Sequence, residues 1–199
     1  MVAEYGKLMG HIEFEAKFFI DSSELKQKVQ DFGGLCVRSN GLMRRFVFGV
    51  SGKPNQWIRV RDEGQYVTLT IKSFDPTKGI DAVRELEIKV SDFDTTVQML
   101  QVLGYEKSLY VENYREVWKL DDCLLMFDLW PGIDPFVEIE GPSKQSVEKV
   151  AELLGLKMEH AMYGPNRLLY EKAYGMSREE FQKLQKLTFE ITKNWVKKT

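Results

Sequence analysis

Cysteine is scarce in this 199-residue sequence: Cys36 and Cys123 stand far apart, with no CxxC and only His11 and His160 to accompany them. Neither a disulfide framework nor a zinc cluster can organise such a chain, and each cysteine reads as a small core residue. Charge of one sign is also missing, since 28 Lys+Arg against 30 Asp+Glu leave a net charge of −2. Proteins that bind nucleic acid or membrane surfaces usually carry a basic excess, and this chain has none. No apolar run approaches the roughly 18 residues that a membrane span requires. The opening Met1-Val2-Ala3-Glu4-Tyr5-Gly6-Lys7 lacks the charged-then-apolar layout of a signal peptide. The expectation is a cytoplasmic protein, monomer or homodimer, that meets neither nucleic acid nor membrane.

The chain is 43% hydrophobic and 29% charged, the make-up of an ordinary globule and too apolar for disorder. At about 150 residues per domain, one compact domain over residues 1–199 is expected. Asp21 to Phe32, Ser91 to Leu103 and Ser143 to Leu154 carry apolar residues at helical spacing and stop at Gly33, Gly104 and Gly155. A last helix is expected from Ser177 to Lys198 through Phe181, Leu184, Ile191 and Trp195, opened by Ser177 and Glu180 as a capping box. Each of these helices is amphipathic and must lay one face on something.

Between them the period is two. Ile12, Phe14, Ala16, Phe18 and Ile20 alternate with Glu13, Glu15 and Lys17, and Ile58 and Val60 with Trp57, Arg59 and Arg61. Val67, Leu69 and Ile71 alternate with Thr68, Thr70 and Lys72, and Leu86 and Ile88 with Glu85, Glu87 and Lys89. Further strands fit Asn113 to Leu120, Leu124 to Trp130 and Phe136 to Glu140. The fold class is therefore α+β with antiparallel strands dominating.

A charged strand face taken alone faces solvent. Here about seven strands share the pattern, and amphipathic helices need apolar surface to cover. A sheet curled with its apolar face outward would satisfy both and leave a polar lumen. Unpaired charge inside it is costly, so the lumen asks for a highly charged guest. Glu13 and Glu15, spaced about 6.6 Å along one strand face, together with Asp128, Glu138 and Glu140, are hard oxygen donors suited to Mg²⁺ or Mn²⁺. Arg59, Arg61, Lys72 and Arg115 suit phosphate oxygens. Carboxylates for metal beside a basic set describe a polyphosphate site, with salt-bridged surface strands as the alternative.

In order along the chain, Glu13-Phe14-Glu15-Ala16-Lys17, Arg59-Val60-Arg61, Thr70-Ile71-Lys72, Arg84-Glu85-Leu86-Glu87, Arg115, and Asp128 followed by Glu138-Ile139-Glu140 resemble the motifs of the CYTH family. These are the triphosphate tunnel metalloenzymes, which include class IV adenylate cyclases, thiamine triphosphatases and inorganic tripolyphosphatases. The resemblance spans about residues 10 to 170. It implies an eight-stranded antiparallel tunnel with helices outside, a triphosphate-bearing substrate, and one or two divalent ions. Glu13, Glu15, Asp128, Glu138 and Glu140 would take metal; Lys17, Arg59, Arg61, Lys72 and Arg115 would hold phosphates. Lys17 and Glu15 would act in catalysis, while Glu85 and Glu87 would take metal or orient the basic residues. The first reading is hydrolysis that releases phosphate, with adenylate cyclase chemistry and a non-catalytic polyphosphate- or nucleotide-binding module as alternatives that the motifs alone do not separate.

Two positions depart from the family pattern. Asn113 stands where a lysine often precedes the arginine at Arg115, and no tyrosine occupies the second strand, where Phe46 and Phe48 stand instead. Trp57 matches a tryptophan that thiamine triphosphatases stack on their substrate, or it is a wall residue. His11 reads as a strand-end histidine. Of the pair Arg44-Arg45, one side chain should face each side of its strand, with solvent exposure expected and a supplement to the basic set as the alternative for one of them.

Overall fold

A computed structural model describes residues 10–197; the amino-terminal Met1–Lys7 stretch and Lys198 lie outside the described residues. In chain order the elements are β1 (His11–Phe19), α1 (Ser22–Asp31), β2 (Leu35–Gly49), β3 (Gln56–Asp62), β4 (Val67–Phe74), β5 (Val83–Val90), α2 (Phe93–Val102), β6 (Lys107–Leu120), β7 (Cys123–Leu129), β8 (Phe136–Gly141) and α3 (Lys144–Leu153). A 3₁₀ turn at Met158–His160 leads to α4 (Arg167–Tyr174), α5 (Arg178–Gln182), β9 (Lys186–Leu187) and α6 (Phe189–Thr192).

The strands run in the order β2-β3-β4-β5-β1-β8-β7-β6, and β2 pairs with β6 to close the sheet. All these pairings are antiparallel, which makes the expected eight-stranded barrel. Closure leaves none of the eight at the edge of the sheet, although the start of β6 runs beyond its pairing with β7. An eight-stranded barrel has room inside for packed side chains or one small ligand.

Side-chain alternation then decides what lies inside. The outer apolar residues of β1, β6, β7 and β8, among them Ala16, Phe18, Leu125, Val137 and Ile139, are covered by Leu25 and Val29 of α1 and Val147, Val150 and Ala151 of α3. Phe93, Val97 and Leu100 of α2 cover Phe48, Ile58 and Val60 on the opposite side. Each of these helices starts on a side-chain cap: Asp21 accepts from the Ser23 amide, Asp92 from Thr95 and Ser143 from Ser146. The inner face is left to the charged residues.

The long helix expected from Ser177 is not formed. Its capping box is present, with Ser177 and Glu180 satisfying each other's amides, but α5 ends at Gln182. Lys186 and Leu187 instead pair in parallel with Tyr110 and Val111 of β6, and Tyr110 donates its amide to the Gln185 carbonyl. The initial turns of β6, which begins six residues before the expected Asn113, leave backbone groups that an edge must satisfy. Strand pairing there outweighs continuation of the helix.

This carboxyl-terminal segment fills the barrel end where β6 and β8 begin and β7 ends. Leu169 and Tyr170 of α4, with Phe181, Leu187 and Trp195, pack on Leu109, Val111, Trp130 and Phe136. Tyr170 is fully buried and donates to the Pro131 carbonyl at 2.8 Å. Gly132 has φ +74°, and a Cβ there would lie 2.9 Å from the Tyr174 hydroxyl, so the turn needs glycine on both counts. No helix among the described residues is long and apolar enough to cross a membrane.

Candidate functional site

The inward side chains surround a cavity of about 620 Å³, well within the range that holds a small organic ligand. β1 contributes Glu13, Glu15 and Lys17; β3 contributes Trp57, Arg59 and Arg61; β4, β5, β6 and β8 add Lys72, Glu85 and Glu87, Arg115, and Glu138 and Glu140. The register explains the convergence. Glu15 lies opposite Glu140 and Lys17 opposite Glu138 across β1 and β8, while Arg59, Thr70 and Glu87 form one row across β3, β4 and β5.

Nearly every charge in this interior is paired. Lys17 Nζ donates to Glu15 Oε1 at 2.7 Å and to the Gly164 carbonyl at 2.9 Å, and sits 2.9 Å from Glu138 Oε1. Lys72 Nζ reaches both Glu13 oxygens at 2.8 Å and Glu85 at 3.1 Å. Arg59 donates to Glu87 at 3.2 Å. Burial weakens both lysines as bases, but their carboxylate partners outweigh it and raise both pKa values. Burial likewise works against ionisation of Glu13 and Glu138. Lys72 nevertheless holds Glu13 below the usual carboxylate range, and Lys17 holds Glu138 well below it. Glu15, buried and crowded by Glu138 and Glu13 despite Lys17, is pushed well above.

Asp128 does not join these wall carboxylates. Its buried side chain accepts from Arg115 Nε at 2.8 Å and Nη2 at 2.5 Å, and from Asn113 Nδ2 at 2.9 Å. Here it orients an arginine, which a bidentate carboxylate does well. Arg115 also reaches Glu138 at 2.9 Å.

Among the described residues no group of three acidic, histidine or cysteine side chains stands ready to hold a metal ion, because Glu13, Glu15 and Glu138 lean on lysines and an arginine. The donor chemistry still fits Mg²⁺ or Mn²⁺. Glu140 has no ion pair among the described residues, and burial followed by the charges of Glu13 and Glu138 pushes its pKa up to about 7. Oxygen donors crowded to that degree are stabilised by a hard cation.

Other cavity residues were not placed by the sequence reading. Arg45, expected in solvent, is only 3% exposed; its neighbour Arg44 takes the outer face, over the Phe93 ring. Phe46 also faces outward, against Phe93 and Tyr110, while Arg38, Arg45, Val47, Phe48 and Gly49 of β2 line the cavity. Strand alternation, which sets Arg44 and Arg45 on opposite faces, carried part of that signal. Glu63, just past β3, bridges Arg38 and Arg61, the latter at 2.5 Å. Trp57 lies within β3 and lines the cavity beside Lys72. His11 is an exposed strand-end residue.

Comparison with known proteins agrees with this architecture. The family model described as the CYTH domain matches residues 11–165. A Methanocaldococcus jannaschii protein described as a putative adenylate cyclase is 25% identical over 138 residues, which is 65% of this chain and 76% of that protein. The PH1012 protein of Pyrococcus horikoshii superposes with a TM-score of 0.70 at 22% identity, covering 79% of this chain and 99% of that one. A Hippeastrum protein, described as a putative adenylyl cyclase with a dominant triphosphatase activity, superposes with a TM-score of 0.53 at 15% identity, covering 80% and 96%.

Proposed function

The chain belongs to the CYTH domain family, and from that premise we propose that it is a divalent-metal-dependent hydrolase that grips the triphosphate of its substrate inside the barrel and releases phosphate. The observation that carries this reading is the convergence of Lys17, Arg59, Arg61, Lys72 and Arg115 with Glu13, Glu15, Glu138 and Glu140 around one cavity. Buried guanidinium and ammonium groups in that number match the spread charge of a phosphoryl chain, and each charge-assisted contact contributes about 1.5–3 kcal/mol.

Glu13, Glu15, Glu138 and Glu140 would hold the metal. A Mg²⁺ or Mn²⁺ ion there would neutralise phosphate charge and lower the pKa of an attacking water. Arg59, Arg61 and Arg115 fix the phosphoryl oxygens, and Asp128 holds the Arg115 fork in the orientation required. Lys17, anchored by the Gly164 carbonyl, presents its ammonium to the reacting phosphoryl group and stabilises the charge that develops on it. The surrounding barrel wall limits access of bulk water, which strengthens each of these contacts.

A second reading, conversion of ATP to cyclic AMP and pyrophosphate, is favoured by the description of the M. jannaschii relative; the same grip serves both reactions. Incubation with tripolyphosphate, thiamine triphosphate and ATP, each with Mg²⁺ or Mn²⁺, separates them. Phosphate release supports the hydrolase and cyclic AMP supports the cyclase. Tight binding with no product leaves a binding module. Glu138→Gln removes the charge between Lys17 and Arg115 and is expected to cut turnover by about a hundredfold or more with a native circular dichroism spectrum. A collapsed spectrum would mark Glu138 as structural instead.

A further inference from the structure

Among the described residues, Arg45 alone of the buried basic side chains that line the cavity has no carboxylate within ion-pair distance. Lys17, Arg59, Arg61, Lys72 and Arg115 each have at least one. The Arg45 guanidinium donates through Nη2 to Asn113 Oδ1 and lies over the Trp130 ring, 4.7 Å from its centroid. Among the described residues its Nε has no hydrogen-bond partner, and neither does that of Arg61, the residue directly opposite it across β2 and β3. A buried guanidinium is expensive unless something anionic completes it. The surroundings make the demand sharper: burial first, then the charges of Arg61, Arg59 and Arg115, lower the Arg45 pKa well below its ordinary value.

We propose that Arg45 is an additional phosphate-binding residue of this chain, closing on a phosphoryl group from β2 beside Arg61 and Arg115 and supplying the positive charge that Asn113 does not. The inference rests on the triphosphate reading above and deepens it. The geometry supports the exchange directly. Asn113 is fully buried, donates through Nδ2 to Asp128 and accepts at Oδ1 from Arg45, so the amide braces a guanidinium arriving from the neighbouring strand instead of presenting a cation of its own.

The test uses the full chain with tripolyphosphate and Mg²⁺, read by steady-state kinetics and thermal melts. Arg45→Met is expected to raise KM about tenfold to a hundredfold, the range of one charge-assisted hydrogen bond. Without ligand the variant should melt at the wild-type temperature or above it, because an unpaired buried charge is gone, while the rise in Tm on adding tripolyphosphate should shrink. Adding Asn113→Lys to Arg45→Met should recover at least half of the lost affinity on a logarithmic scale, since the cation returns from the other strand. An unchanged KM, or a KM loss with a lowered ligand-free Tm and no recovery from lysine, would overturn the proposal and leave Arg45 as a prop for Trp130. Arg45→Gln replaces the methionine variant should that one not fold; a chain that folds with neither also overturns it. Failure of the wild type to bind or turn over any triphosphate would sink the underlying functional reading, whereas wild-type turnover with indifferent Arg45 variants sinks this inference alone.

Discussion

Glu63 shows how a single interior carboxylate sets a stability limit. It stands at the turn after β3, its side chain 4% exposed, between Arg38 and Arg61. Burial works to raise its pKa, but Arg61 and Arg38 outweigh burial and bring it down from 4.5 to about 2. A folded-state value below the unfolded one means that the stabilisation is complete above about pH 4.5 and fades as pH falls toward 2. Its size is on the order of 2–3 kcal/mol from the shift. Glu63→Gln should therefore lower unfolding free energy by about that much at pH 7 in urea melts, and the gap from wild type should narrow at pH 3. An equal gap at both pH values would show that ionisation of Glu63 contributes nothing.

At the scale of elements, the carboxyl-terminal segment behaves as a plug whose centre is Tyr170. Tyr170→Phe removes one buried hydrogen bond to the Pro131 carbonyl and should cost about 1 kcal/mol. Tyr170→Ala empties the contact with Phe181, Trp195 and Leu169 and should cost about 3–5 kcal/mol. Melts of both variants check this, and similar losses from the two would mean that packing contributes little there. The plug is also where sequence reasoning reached its limit. Helices α1, α2 and α3 were legible because caps, apolar period and terminal glycines coincide within each window; the inner faces of β1, β3 and β4 were legible because alternation is clean. The helix expected through Leu184 and Leu187 failed because its residues also suit an edge strand, and only the fold reveals that the start of β6 needs one. β2 was blurred for a related reason: its pairing with β6 slips at Arg38, Gly41 and Phe48, so alternation separates Arg44 from Arg45 but does not say which of the two faces inward. The wall carboxylates were legible as residues, but their partners were not. That Asp128 belongs to Arg115, and that Arg38 and Arg61 share Glu63, depends on which strands become neighbours.

Taken as a whole, the barrel interior is an electrolyte neutralised by its own charges, and this shapes how it would be loaded. A triphosphate entering alone must draw Lys17, Lys72 and Arg115 away from Glu13, Glu15 and Glu138, leaving carboxylates buried without a cation. A divalent ion entering alone must draw the same carboxylates away and leave the ammonium and guanidinium groups unpaired. Each step leaves charges that cost several kcal/mol in a buried site. If both enter, the partners would exchange: phosphate oxygens would take the basic side chains and the carboxylates would hold the metal. Each ligand must then favour the other by the same factor. The expected outcome is that an imido-linked tripolyphosphate analogue, which resists hydrolysis, and Mg²⁺ together raise Tm by more than the sum of their separate shifts. The excess should diminish in Lys72→Met, where Glu13 has lost its ammonium partner and is open to the metal beforehand. Strictly additive shifts in the wild type would mean that the ion pairs across β1, β4 and β8 stay closed when ligands bind, and that the two sites load independently.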